Sequence, residues 1–268
     1  MSALSLQLDT PDLAEHYDNA SVDRQFKTGR LLIAKLDIQP GARVLDVGSG
    51  TGRLAEYVAA IVGPTGFVYA VDPLPLRIAI AQDKVKPNLT FAVDDAYALR
   101  TLADASFDVI YLNAVFHWFP EKLEPLRNFH RLLKPGGKLG ISTGSKEHPN
   151  RIHAIQQQVL AREPYRAHSQ PEQGLPHRVS ADELQRQLTQ TGFVLDSLSV
   201  DPHSTLHASA EAAIQHSQAS SFGNLLGHLP EPLRTQAQRD VIVELEKFRT
   251  REGVRQDGAR IVAVAIKS

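Results

Sequence analysis

A chain of 268 residues that is 42% hydrophobic can bury one substantial core, as a single large domain or a domain with an insertion. Its 29 Lys+Arg against 30 Asp+Glu leave a net charge of −1, so no global field draws it toward nucleic acid, and the absence of cysteine excludes disulfides, thiolate metal sites and a cysteine nucleophile. No run approaches the roughly eighteen apolar residues of a membrane helix, and the opening residues lack the basic-then-apolar pattern of a secretion signal. A cytoplasmic protein with no membrane partner is expected.

Residues 1–40 begin with a polar segment and then place Leu31, Leu32, Ile33 and Leu36 in a helix ending before Gln39-Pro40-Gly41. Val44 to Val47 reads as a short strand, glycines follow at 48, 50 and 52, and Arg53 to Val62 carries Leu54, Tyr57, Val58 and Ile61 at helical spacing. Such glycines allow positive φ and carry no Cβ, so a ligand can lie against the backbone where the strand ends. A second strand, Phe67 to Val71, closes on Asp72, which lies 20 residues beyond Gly52, the separation at which an acid can bond a ribose.

The spacing chooses among nucleoside ligands. A dinucleotide fingerprint needs glycine at position 53, where Arg53 stands, and no G-x-x-x-x-G-K-[ST] phosphate loop occurs. Asp46, two residues before the first glycine, would repel a pyrophosphate but suits a ligand bearing an ammonium group. S-adenosylmethionine combines an amine and a ribose with no phosphate.

After Asp72, Pro73 stands where a first-turn proline would start the helix Leu74 to Lys84. Leu89 to Val93 reads as the third strand, followed by Asp94-Asp95-Ala96; Phe107 to Asn113 is the fourth, and Leu132 to Leu139 a helix-to-strand corner. Taken in order, these pieces of residues 40–143 resemble the class I S-adenosylmethionine-dependent methyltransferases. They look most like the small-molecule enzymes of the trans-aconitate, biotin-synthesis and ubiquinone-synthesis type.

That resemblance implies a Rossmann-like α/β fold: a seven-stranded, mostly parallel sheet with the last strand antiparallel, helices on both faces and, here, a helical insertion before the last strand. It implies cofactor contacts from Asp46, Gly48, Ser49, Gly50, Thr51, Gly52, Asp72, Pro73, Asp94, Asp95, Ala96 and Asn113. Of the two adjacent acids only one need face the adenine amine, and Asp95, directly before the small Ala96, is the expected one. In the family an N-terminal segment folds over the cofactor, and Tyr17, with Arg24 beyond it, is the candidate for that contact; surface packing is the alternative. Arsenite methyltransferases, whose chemistry uses cysteine thiols, fit poorly with a chain that has none.

The second half changes character. Residues 145–180 hold four histidines and several prolines around one short helix, Ile152 to Arg162, and read as connection and pocket wall. Ser180 and Glu183 form a capping-box pattern at the start of a helix that stops near Gly192. Phe193 to Val200 alternates as a strand and Ala259 to Ile266 as the last one. The domain is thus divided into an N-terminal helical cap (1–40), a cofactor-binding core (41–144), the rest of the sheet (145–202 and 259–268) and a helical insertion (203–258) expected to serve as a substrate lid.

Methyl transfer needs the acceptor held in line with the methyl group and water excluded, with no covalent residue and a general base only for a protonated acceptor. His117, in Phe116-His117-Trp118-Phe119 beyond the fourth strand, is the candidate base or substrate contact, packing being the competing role. Phe116, Trp118, Phe222 and Asn224 are expected to line the substrate pocket, core packing being as good an account of Trp118. No H-E-x-x-H pattern occurs, so no metal is expected. The leading reading is methylation of a small molecule. An RNA or protein methyltransferase and a non-catalytic S-adenosylmethionine-binding protein remain as alternatives.

Overall fold

The computed structural model describes residues 10–11, 22–148, 150–168, 176–218 and 225–268; the candidates Tyr17, Phe222 and Asn224 fall outside them. Helix α1 (Val22–Leu36) precedes the predicted strand-turn-helix, which forms as β1 (Arg43–Val47) and α2 (Arg53–Val62). Then come β2 (Phe67–Asp72), α3 (Pro75–Ala81), β3 (Leu89–Val93), β4 (Phe107–Asn113), α4 (Leu123–Leu132) and β5 (Leu133–Gly144). The helix expected from Leu74 starts one residue later, with Pro75 in its first turn and Pro73 outside it, and its end tightens into a 3-10 turn over Gln82–Lys84.

The sheet runs β3-β2-β1-β4-β5-β8-β6, where β6 is Phe193–His207 and β8 is Gly253–Lys267. Strands β1 to β5 pair in parallel, and β8 inserts antiparallel to both β5 and β6. Because a parallel strand is buried on both faces, it reads as a continuous apolar run. Leu45, Val47, Ile110, Leu112 and Ile141 pack on one face against α4 and α6 (Ala181–Gln190). Val44, Val68, Val109 and Val264 pack on the other against α1, α2 and α3.

The sheet holds eight strands among the described residues where seven were expected, because the two-residue β7 (Arg249–Thr250) pairs with the start of β8. Strands β6 and β8 are also longer than the expected 193–200 and 259–266. They stay paired out to His207 opposite Val254, so residues 203–207 and 253–258 are strand, not helical insertion. Exposed polar side chains hid these outer halves, because a ladder open to water shows no apolar alternation. Pro202 is tolerated because β6 is the sheet's edge, where a missing N–H breaks no inner ladder.

The helices of the insertion, α7 (Ala210–Gln218) and α8 (Glu231–Glu246), share a third core with α5 (Arg151–Leu160). Ile152, Ile155 and Val159 meet Ala213, Ile214, Val241 and Leu245 there, and the Tyr165 hydroxyl donates to Asp240 Oδ2 at 2.5 Å. The capping box on α6 is complete, with Ser180 Oγ accepting from Glu183 N at 3.1 Å and Glu183 Oε2 accepting from Ser180 N at 2.9 Å. Ser180→Ala is expected to lower stability by about 1 kcal/mol, measurable by urea unfolding; an unchanged midpoint would show that tertiary packing alone fixes this helix end.

Candidate active site

The glycine turn is tied down before any ligand meets it. Gly48 N and Ser49 N both donate to Val71 O, at 2.7 and 2.9 Å, and Gly50 N donates to Asp72 Oδ2 at 2.9 Å. The other Asp72 oxygen accepts from Leu74 N at 2.9 Å. The acid expected to bond a ribose therefore also clamps the loop, while its carboxylate lines the cavity beside Pro73. Gly48 and Gly52 have φ of 78° and 85°, and a Cβ on either would come 2.3 Å from Val115 Cγ2 or 2.6 Å from Phe91 Cζ. Both positions need glycine for conformation and for room.

Asp46 is 2% exposed, at the core end of this turn. Register places Tyr111 of β4 beside it, and the Tyr111 hydroxyl donates to Asp46 Oδ2 at 2.6 Å. Burial raises the Asp46 carboxyl to about 7, against the Tyr111 hydrogen bond that opposes the shift and with the Asp72 charge adding to it. In the small recess that Asp46 lines with Ser49, Thr51 and Asn113, the buried Ser49 Oγ and Asn113 Oδ1 have no hydrogen-bond partner among the described residues. A buried acid and two orphaned oxygens on residues of one recess fit the ammonium group of S-adenosylmethionine. Tyr111 went unnoticed in the sequence, since a tyrosine inside an apolar strand reads as core.

Next to the recess, sharing Gln25, Gly48 and Asn113 with it, lies a cavity of about 240 Å³ at the carboxyl ends of the parallel strands. Asp94, Asp95, Ala96 and Tyr97 form one wall. Asp95 Oδ1 accepts from Tyr97 N and Ala98 N at 2.8 and 3.0 Å, and Asp94 Oδ1 from Asp95 N at 2.8 Å. Each acid thus shapes the turn with one oxygen. Tyr97 is held by an edge-on contact with Phe119, ring centroids 5.8 Å apart, and by its hydroxyl bond to Glu121 O at 2.6 Å.

His117 and Trp118 line the opposite side, their rings 4.8 Å apart. His117 Nδ1 shares a hydrogen bond of 2.9 Å with Thr143 Oγ1 on β5. Burial, then the charges of Arg178, Lys122 and Arg260, holds the His117 imidazole well below its usual range, so it is neutral. Phe116 does not reach the cavity: it is fully buried, in edge contact with Phe119 and beneath the Lys122 ammonium at 4.9 Å. The three side chains of the 3-10 turn over Phe116–Trp118 point in three directions, and that of Phe116 enters the core. Lys122 Nζ donates to Phe116 O and Phe119 O at 2.7 and 2.6 Å, pinning that turn.

Several cavity residues carried no signal in the sequence. Arg178, His153, His203, Ser217 and Arg260 come from the loop before α6, from α5, from β6, from α7 and from β8. Gln25 of α1 also reaches the cavity and the recess. No spacing rule joins positions that only the fold brings together. Among the described residues no three His, Asp or Glu side chains group as a metal site, and no helix is long and apolar enough to cross a membrane.

The mostly parallel sheet, the glycine turn and the acids at the ends of β1 and β2 have the architecture of a methyltransferase domain. A model of the methyltransferase domain matches residues 19–198, roughly two thirds of the chain, and the chain belongs to that family. It is similar to trans-aconitate 2-methyltransferase of Variovorax paradoxus, 27% identical over 94% of this chain and 93% of that protein. An arsenite methyltransferase of Aquipseudomonas alcaligenes is 38% identical over 44% of this chain and 36% of its own length. The chain spans only about a third to a half of the first curated relatives it matches. A solved S-adenosylmethionine-dependent methyltransferase from Aquifex aeolicus superposes with a TM-score of 0.54 at 24% identity, over 70% of this chain and 91% of that one.

Proposed function

We propose that this chain transfers the methyl group of S-adenosylmethionine to a small-molecule acceptor. The observation that carries the reading is the buried Asp46, raised by burial, in one recess with Ser49 and Asn113, next to a larger cavity that His117 helps line. Bound S-adenosylmethionine supplies an activated methyl: an acceptor lone pair bonds to it as the carbon–sulfur bond breaks, with that electron pair left on sulfur.

The protein's own contribution is placement. Asp46 and Asn113 hold the amine, Asp72 and Asp95 the nucleoside, and the cavity keeps the acceptor in line while excluding water. Ser217 of α7 lines the cavity, which supports the insertion as its lid, with the N-terminal segment a second candidate cover. A relative of matching length is named for action on a small molecule, which supports an acceptor of that size. Calorimetry with S-adenosylmethionine and S-adenosylhomocysteine tests the cofactor site; failure of both to bind would sink the proposal. Radiolabelled methyl transfer to a panel of metabolites then identifies the acceptor.

His117 makes a separate prediction. Its depressed pKa means that turnover should show no acidic limb from this residue between pH 6 and 8, because it is neutral throughout. As a base it should contribute about a hundredfold or more, so His117→Ala is expected to lower kcat/KM by at least about a hundredfold. Unchanged turnover on the true substrate would leave His117 a packing residue.

A further inference from the structure

Charge is divided unevenly between the two ends of the cavity. Asp46, Asp72, Asp94 and Asp95 gather at the cofactor end. At the far end Arg178 and Arg260 line the wall together with one acid, Asp257, and both arginines act on His117, as does Lys122 from outside the lining. Lys122 is committed to two carbonyls of its own turn, and Arg260 Nη1 donates to Ser142 Oγ at 2.9 Å. Arg178 is different.

Its side chain leaves the loop just before α6, where Val179 bridges to Ser145, and lies across the carboxyl end of β5. A Cβ added to Gly144 would come 3.2 Å from Arg178 Nε, so the bare glycine makes room for the guanidinium. Arg178 Nη2 stands 3.5 Å from His153 Nδ1, at the outer limit of a hydrogen bond. Burial, with Arg178 as a second cause, pushes His153 down to about 3, so its ring is neutral and can accept rather than repel. Among the described residues no carboxylate lies within ion-pair distance of Arg178, and its own pKa is lowered by burial with no acid to offset it.

A guanidinium held largely out of water without an anion is costly, and a partner anion removes much of that cost. The planar fork matches a carboxylate in two parallel hydrogen bonds. One guanidinium backed by a neutral imidazole suits a planar monoanion better than a dianionic phosphate. From α7, Ser217 lines the same cavity, and its buried Oγ has no hydrogen-bond partner among the described residues.

We propose that the methyl acceptor is a small organic acid whose carboxylate is bound by Arg178 at the end of the cavity opposite the cofactor. This rests on the methyl-transfer reading above and deepens it. A carboxylate gripped by a guanidinium is a weakened nucleophile, so the accepting atom is a different group of the same molecule, directed toward the methyl. Arg178 is then a specificity residue: it selects acids over their esters and amides and sets which end of the acceptor faces the cofactor.

The test uses the full chain saturated with S-adenosylhomocysteine, titrated calorimetrically with mono-, di- and tricarboxylic acids of about three to eight carbons. Each acid is paired with its methyl ester, and small phosphate monoesters form a separate arm. At least one acid is expected to bind while its ester does not. Arg178→Gln should weaken that acid at least tenfold, Arg178→Lys less, and both should leave S-adenosylhomocysteine affinity within about twofold, which also shows that the variants are folded. Binding of no acid, equal binding of acid and ester, acid binding indifferent to both variants, or preference for the phosphate monoesters would each overturn the proposal. Failure of the wild-type chain to bind S-adenosylhomocysteine would instead strike the methyl-transfer reading.

Discussion

Replacing Asp46 with asparagine is expected to weaken S-adenosylmethionine binding at least a hundredfold while making the ligand-free protein harder to unfold at pH 8. The first effect follows from removing the anion that faces the ligand's ammonium in a site shielded from water, where loss of one partner costs about 3–5 kcal/mol. The second has the opposite sign because the charge is a burden to the empty fold. Burial raises the Asp46 carboxyl from 3.8 to about 7. A raised acid stabilises the fold fully below its unfolded value, and that contribution is lost as pH climbs through the folded value.

At pH 8 the ligand-free protein therefore carries a buried carboxylate at a cost of up to about 4 kcal/mol, the energy equivalent of the rise from 3.8 to about 7. Asparagine removes the charge and keeps an oxygen for the Tyr111 hydroxyl. The stabilising effect should vanish below pH 4, where Asp46 is protonated in both states. The same titration predicts that cofactor affinity in the unmodified protein falls about tenfold per unit below pH 7, because binding must then displace a proton. Calorimetry and thermal unfolding at pH 5 and 8 measure all of this; a variant that binds the cofactor normally, or melts lower at pH 8, would refute the role given to Asp46.

Gly48→Ala is the second substitution with a large expected effect, a loss of about 2–5 kcal/mol in stability together with cofactor binding. Its φ of 78° costs an L-residue about 1–2 kcal/mol. The new Cβ would also stand 2.3 and 2.8 Å from the two Val115 methyl carbons, an overpacking cost of about 1–3 kcal/mol. Gly63 separates the two terms. It has a φ of 66° and a ψ of −171° but nothing within 4 Å of an added Cβ, so Gly63→Ala should lose only the conformational cost of that glycine-favouring region, about 1–3 kcal/mol. Adding Val115→Ala to Gly48→Ala should return the steric part of the stability and leave the conformational part. A double variant no more stable than Gly48→Ala would show that the contact with Val115 relaxes freely.

Much of the cofactor half was legible because its determinants are local. Glycines at 48, 50 and 52, an acid two residues before them and another at the end of the next strand declare a turn and a ligand within 27 residues, from Asp46 to Asp72. The apolar runs of β1, β2 and β4 are readable because strands buried on both faces leave no polar interruption. Local pattern misled where solvent replaced the core. The outer halves of β6 and β8 are polar ladders, and Phe116, placed on the pocket wall beside His117, turns into the core.

The sequence by itself determined the strand-turn-helix, the acids at its rim and the methyltransferase family, because residues close along the chain and close in space impose the same spacing. Only the tertiary structure decided that Asp46 is buried with a Tyr111 hydrogen bond to relieve it and that Arg178, His153 and Ser217 line one cavity. Those pairings join segments far apart in the chain. Their energies come from shared burial, which exists only once sheet, helices and insertion have closed around the same volume.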